Sequence, residues 1–216
     1  MHEAPQVCEK GARASNYAFT THKWEYTMWR AALIAGALAM TAALSAAADT
    51  KQAGGFTLTS PDIAQGRKMA SAQVFNSFGC SGQNVSPALS WSHAPAGTQS
   101  FALLVHDPDA PTGSGWWHWL VYDVPATVTS LPAGAGDPKT KLLPPGALQG
   151  RTDFGTYAYG GPCPPPGKVH HYHFRFYALK VAKLAEVPGD ASAAFIAFNV
   201  HANAIAETEI VATYSR

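Results

Sequence analysis

From His170 to Leu179 the chain alternates residue by residue: His170, Tyr172, Phe174, Phe176 and Ala178 fall on one face, and His171, His173 and Arg175 on the other. A period of two marks a half-buried β-strand, because successive side chains of a strand point to opposite faces. The pattern recurs at Trp116–Val124, where Trp116, His118, Leu120, Tyr122 and Val124 are expected to share a face. Phe56–Ser60 and Leu89–Trp91 read as shorter strands, and Phe101–His106 (FALLVH) is apolar enough to be buried on both faces. Pro and Gly, 16 and 19 in the chain, punctuate these segments and argue against a helix bundle. Residues 125–150 read as one long Pro- and Gly-rich loop. Asp190 is the expected N-cap of a helix over roughly 191–205, with Phe195, Phe198 and Ala202 as its apolar stripe, before a last strand at Glu207–Tyr214. Runs of strands with a late helix predict a mainly β sandwich with small helical additions.

The start of the chain is set apart from this fold. Met28-Trp29-Arg30, the apolar stretch Ala31–Leu44 and Ser45-Ala46-Ala47-Ala48 have the layout of a secretory signal peptide, with cleavage expected after Ala48. The apolar stretch is shorter than the ~20 residues of a membrane span. Residues 1–27 lie upstream of a convincing start at Met28. The division expected is therefore 1–27 upstream segment, 28–48 signal peptide, and 49–216 a single domain, exported to the periplasm or secreted. With Cys8 in the discarded segment, Cys80 and Cys163 remain as an even pair in an oxidising compartment. They are either disulfide partners or two buried thiols.

Charge narrows the function classes. Residues 49–216 carry eleven Lys and Arg against eleven Asp and Glu, with no basic run. Such a domain is a poor candidate for nucleic-acid binding by phosphate neutralisation. There is no HExxH, paired metal-ligand spacing or GxSxG elbow, so a hydrolase, metal-dependent or otherwise, is the weaker reading, and no metal or cofactor is expected. Two clusters carry chemistry instead. HDPDAPTGSGWWHWLVYDVP sets Asp107 and Asp109 just after a buried strand and His118 early in the next. YGGPCPPPGKVHHYHF sets a rigid Pro-rich loop directly before His170 and Tyr172. Both place polar groups at strand ends, which could gather Asp107, His118, His170 and Tyr172 at one pocket. Aspartate beside imidazole orients it and favours its protonated form, and two such rings with a phenol make a donor set for a phosphate-like anion. Asp109 reads as a turn-former, and His171 and His173 as solvated.

These stretches resemble the signature motifs of the phosphatidylethanolamine-binding protein family, in its bacterial Raf-kinase-inhibitor-like branch. DPDAP followed by a strand histidine matches Asp107–Pro111 and His118; the GxxPPxG-type loop leading to H-x-Y matches Gly160–Gly167 with His170 and Tyr172. NVSPALSW, LPPGALQGRTDFGTYAYGGPCPP and the ending ATYSR add support, so the likeness spans about Phe56–Arg216. Thr152 stands where relatives tend to carry Asn. The resemblance implies a large antiparallel sheet packed on a smaller one, short C-terminal helices, and a pocket for phosphate or a phospholipid headgroup. Its walls would be Pro111 and Pro164–Pro166, with Trp116 at the mouth, and the Ala110–Pro111 bond would be cis. The function implied is ligand binding without catalysis; the rival is inhibition or regulation of a partner protein, as in the family's kinase- and protease-inhibitor members.

Overall fold

In a computed structural model the structure describes residues 55–185 and 187–216. The expected upstream segment, signal peptide and cleavage point all lie outside these residues. Eight strands and one helix follow in order: β1 (Thr57–Thr59), β2 (Leu89–Ser92), β3 (Ser100–Asp107), β4 (Trp116–Pro125), β5 (Ser130–Leu131), β6 (Leu148–Gln149), β7 (His170–Leu179), α1 (Ala193–Asn203) and β8 (Ala204–Tyr214). The long loop expected over 125–150 thus contains two short strands. A three-stranded sheet runs β1-β2-β5, and a five-stranded antiparallel sheet runs β6-β4-β3-β7-β8.

Three layers result. Leu58, Leu89, Trp91 and Leu131 of the small sheet pack against Phe101, Leu103, Val105, Trp119, Val121, Phe174 and Phe176 of the large one. The Trp91 ring lies 4.3 Å from that of Phe176, which in turn lies 5.4 Å from Phe101. On the other face, Ala102, Leu104, Leu120, Tyr122, Tyr177 and Leu179 are covered by Ile196, Ala197 and Val200 of α1. FALLVH is indeed buried on both faces. The exposed edge of β8 is covered in part by residues 66–69, whose backbone bonds Val211 and Thr213, which blunts an otherwise free strand edge.

Four expectations are corrected here. The strict alternation of β4 fails, because its register against β3 slips twice, between Val105 and His106 and between Phe101 and Leu103. Val105 pairs with Trp119 and His106 with Trp117, leaving His118 as the extra residue of a bulge. Trp119 and Val121 consequently join the inter-sheet core on the side of His118, while Leu120 and Tyr122 turn to the helix. At the second slip Asp123 takes φ +57°, and Val124 returns to the inter-sheet side. The helix is capped by Ser192, not Asp190: the Ser192 hydroxyl accepts from the N–H of Phe195. Its buried face is Ala193, Ile196, Ala197 and Val200, whereas Phe195 and Phe198 are 43% and 70% exposed. Lastly, the Ala110–Pro111 bond is trans, since no cis peptide occurs among the described residues.

Candidate functional site

The antiparallel order β4-β3-β7 brings the end of β3 beside the starts of β4 and β7. Asp107, the last residue of β3, therefore meets Trp116 and His118 from β4 and His170 and Tyr172 from β7 at one end of the sheet. These five line a cavity of about 190 Å³ together with Pro111, Pro164, Pro165, Phe78, Ala110, Thr112, Phe154 and Cys163. Every site residue expected from sequence is in this lining apart from Pro166. Phe78 and Phe154 were not expected. Phe154 packs edge-on to Trp116 and His118 at 5.4 Å each, and Phe78 stacks at 5.9 Å on Phe154. Phe154 sits in the TDFG stretch that carried the resemblance, but no local pattern marks Phe78, which is 64% exposed.

The polar groups are few and committed. His170 Nδ1–H donates to Asp107 Oδ2 at 2.7 Å, with both side chains buried. Asp107 Oδ1 accepts the Asp109 N–H at 2.9 Å. This makes Asp107 the turn-former; Asp109 instead takes the His171 N–H at 2.8 Å and its ring Nδ1–H at 2.7 Å. Burial would raise the Asp109 carboxyl, but the bonds from His171 outweigh it and hold the group below its usual range. His171 is thus held, not merely solvated. So is His173, which donates from Nδ1 to Glu209 at 2.7 Å beside an Arg175–Glu209 bond of 2.8 Å. On the same outer face, His106 stacks on Trp117 and bonds the Ser114 carbonyl at 3.0 Å, bracing the 108–115 loop from the side away from the cavity.

His118 differs from the expected protonated donor. Its Nδ1–H donates to the Gly160 carbonyl at 2.6 Å. Burial pushes its pKa down to about 4, against the opposing pull of that carbonyl and of Asp107. At neutral pH it is an uncharged ring whose Nε2 carries a lone pair. The Tyr172 hydroxyl is buried and makes no hydrogen bond among the described residues. Burial first, and then the charge of nearby Asp107, keep the phenol protonated, so it stands as an unused donor. Among the described residues no Lys or Arg lines the cavity. Among the described residues no group of three or more His, Cys, Asp or Glu is placed to hold a metal.

Distant segments hold the walls. Asn84 accepts the Gly161 N–H at 2.7 Å and donates to the Tyr159 carbonyl at 3.1 Å, fixing the YGG segment that receives His118. Asp153 bonds the Trp117 N–H at 2.8 Å, and Thr152 closes the loop through the Thr156 carbonyl at 3.0 Å. Cys80 and Cys163 form a disulfide, with Cα atoms 6.0 Å apart. Arg216 bridges the same two segments, from Nε to the Pro164 carbonyl at 2.7 Å and from Nη1 to Gly79 at 3.3 Å.

Comparison with known proteins bears on this geometry. The family model for phosphatidylethanolamine-binding protein matches residues 59–215. UPF0098 protein YbcL of Escherichia coli is 51% identical over 164 residues, covering 76% of this chain and 89% of the relative. UPF0098 protein YbhB of Escherichia coli is 46% identical over 158 residues, covering 73% and 99%. The crystal structure of E. coli YbcL, described as a new member of the mammalian PEBP family, superposes with a TM-score of 0.73 at 50% identity over 76% of this chain and 99% of that one. A putative PEBP homolog, CT736 of Chlamydia trachomatis, gives 0.62 at 31% identity over 75% and 98%.

Proposed function

The chain belongs to the phosphatidylethanolamine-binding protein family, and from that premise we propose that it is an exported binding protein whose cavity takes a phosphate-bearing group, free or as a phospholipid headgroup. The observation that carries the reading is the Tyr172 hydroxyl, buried without a partner in a cavity that His170 and His118 also line. A buried donor left unpaired costs about 1–3 kcal/mol, a cost that an acceptor oxygen of a ligand removes. With Nδ1 given to Asp107, His170 has its Nε2 left for the same ligand. The apolar walls, Phe78, Phe154, Trp116 and the Pro164–Pro165 pair, exclude water and strengthen those bonds. The role we propose is binding without turnover, a reading supported by both Asp107 oxygens being engaged in orienting His170 and Asp109. Export accords with the Cys80–Cys163 disulfide, a bond characteristic of oxidising compartments.

Tyr172→Phe tests the reading, since it deletes the hydroxyl and nothing else. Calorimetry with inorganic phosphate and with glycerophosphoethanolamine should show the affinity of the bound ligand falling about tenfold or more, the scale of a charge-assisted hydrogen bond. Unfolding stability should hold or rise. Unchanged affinity in the variant removes the assignment. For export, cell fractionation should recover the protein outside the cytoplasm; retention of the mature form within it counts against the proposal.

A further inference from the structure

Phe78 occupies a position that its backbone does not favour. The Cys80 N–H donates to the Ser77 carbonyl at 2.9 Å, closing a turn whose two central residues, Phe78 and Gly79, lie at φ +56° and +80°. Asn-Gly is the usual pair in such a turn, and a bulky side chain is disfavoured there. The Phe78 ring is nonetheless laid on the cavity, edge-on to Phe75 at 5.4 Å and stacked on Phe154, although most of the residue is exposed. Few bonds hold it there. The base of the loop is set by the Gly82 N–H on the Phe75 carbonyl at 2.9 Å and the Phe75 N–H on the Pro162 carbonyl at 3.2 Å. Between Phe75 and Gly82, the ties to the rest of the described chain are the Cys80–Cys163 disulfide and the long Arg216–Gly79 bond of 3.3 Å. The disulfide also joins two cavities. Cys163 lines the one described above, and Cys80 lines a second of about 180 Å³ with Ser81, Tyr214 and Arg216.

We propose that the Cys80–Cys163 bond is a thiol-exchange site, and that it is the strap that keeps Phe78 on the cavity. The reductant is a dithiol. One of its thiolates enters through the second cavity and attacks Cys80 Sγ; the S–S bond breaks and Cys163 leaves as a thiolate. The second thiol of the reductant then displaces Cys80, so that the dithiol is oxidised to a disulfide while two electrons and two protons pass to the two cysteines. Arg216 suits this chemistry. Its guanidinium bonds the carbonyls of Gly79, just before Cys80, and of Pro164, just after Cys163, and a cation beside a sulfur favours its thiolate. With the bond open, only the Arg216 contact and ring packing remain to hold residues 76–81, and the turn relaxes out of its disfavoured backbone, taking the Phe78 ring off the cavity. The change in ligand affinity that follows rests on the binding role proposed above; the exchange and the release of Phe78 do not.

The test uses the full-length mature protein under native conditions. Glutathione is the first probe, and mass spectrometry of an early, acid-quenched sample should find it on Cys80 about fivefold or more over Cys163. Dithiothreitol then opens the bond fully, iodoacetamide caps both thiols, and chymotrypsin is added after desalting. Cleavage after Phe78 should be about tenfold faster or more than in the oxidised protein. A Cys80→Ser/Cys163→Ser double variant, which needs no capping, should behave alike. Glutathione mainly on Cys163 overturns the assigned site, and a bond that survives dithiothreitol overturns the exchange. Unchanged cleavage at Phe78, or cleavage throughout a chain that has unfolded, overturns the strap. Calorimetry with inorganic phosphate and with glycerophosphoethanolamine on the oxidised and capped forms reads the consequence. The bound ligand should lose about fivefold or more in affinity with the apolar wall gone, and equal affinity overturns the strap's effect on the cavity. No binding by either form removes the binding reading alone, since cleavage at Phe78 still decides the strap.

Discussion

Asp107 Oδ2 and His170 Nδ1 stand 2.7 Å apart with their side chains 4% and 3% exposed, and Asp109 and His171, two residues and one residue further along their segments, repeat the same 2.7 Å contact at 41% and 50% exposure. Equal distances hide unequal energies. Removing one partner of a buried pair strands the other charge, at about 3–5 kcal/mol, whereas an exposed pair is screened and is worth about 0–1 kcal/mol.

Asp107→Ala should therefore lose about 3–5 kcal/mol of unfolding free energy, and Asp109→Ala about 1 kcal/mol or less. Urea denaturation of the two variants measures both. Similar losses for the two would contradict the role given to burial. His171→Ala, which keeps the backbone bond to Asp109, should be nearly silent.

Stability should fall on mild acidification, and His118 should be a main cause. Its folded-state pKa is pushed from the ordinary 6.5 down to about 4. Between those values the unfolded chain binds a proton that the folded protein refuses, so stability falls as pH drops through the window and is flat in this respect above it. The shift corresponds to about 3 kcal/mol in all. His118→Gln should flatten the curve of unfolding free energy between pH 7 and 4 by about that amount. A variant that keeps the full slope would show that other groups produce it.

The Cys80–Cys163 bond closes a separation of 83 residues, which in the chain-entropy model is worth about 4 kcal/mol. Cys163→Ser should lower the denaturation midpoint accordingly, and a reductant should do the same to the native protein. A loss under about 1 kcal/mol would mean that Arg216, which ties Gly79 to Pro164 across the same gap, holds the two segments unaided.

Adjacent glycines should respond differently. A Cβ on Gly161 would run into the Gln73 carbonyl and the Phe75 backbone nitrogen, neither of which can swing away. A Cβ on Gly160 would run first into the Phe154 ring, a side chain that can turn aside. Gly161→Ala should fold poorly or not at all. Gly160→Ala should cost about 1–3 kcal/mol, the usual range for overpacking, while moving Phe154 off His118 and weakening whatever the cavity binds. Thermal unfolding together with ligand titration separates the two cases. A Gly161→Ala protein of normal stability would show that this close approach is relaxed at little cost.

The strands and the company of the site residues could be read from the sequence, and for a local reason. Alternation at His170–Leu179 follows from strand backbone geometry alone, and β7 has those bounds. The chemistry-bearing motifs sit at strand ends, so once β3, β4 and β7 lie antiparallel, Asp107, His118, His170 and Tyr172 have to meet. Tertiary structure decided what depends on two segments at once. A bulge is a property of a strand pair, so no pattern within Trp116–Val124 announced that His118 would be its extra residue and that Trp119 would follow it to the same side. The face α1 buries was set by Leu104, Leu120 and Tyr177 beneath it, which left Phe195 and Phe198 outside. The protonation of His118 was decided in the same way: burial made the ring neutral against the pull of the Gly160 carbonyl, and that carbonyl, 42 residues away in the chain, holds the proton on Nδ1 and leaves Nε2 as an acceptor, because a charge's cost of leaving water depends on whatever the rest of the chain packs around it.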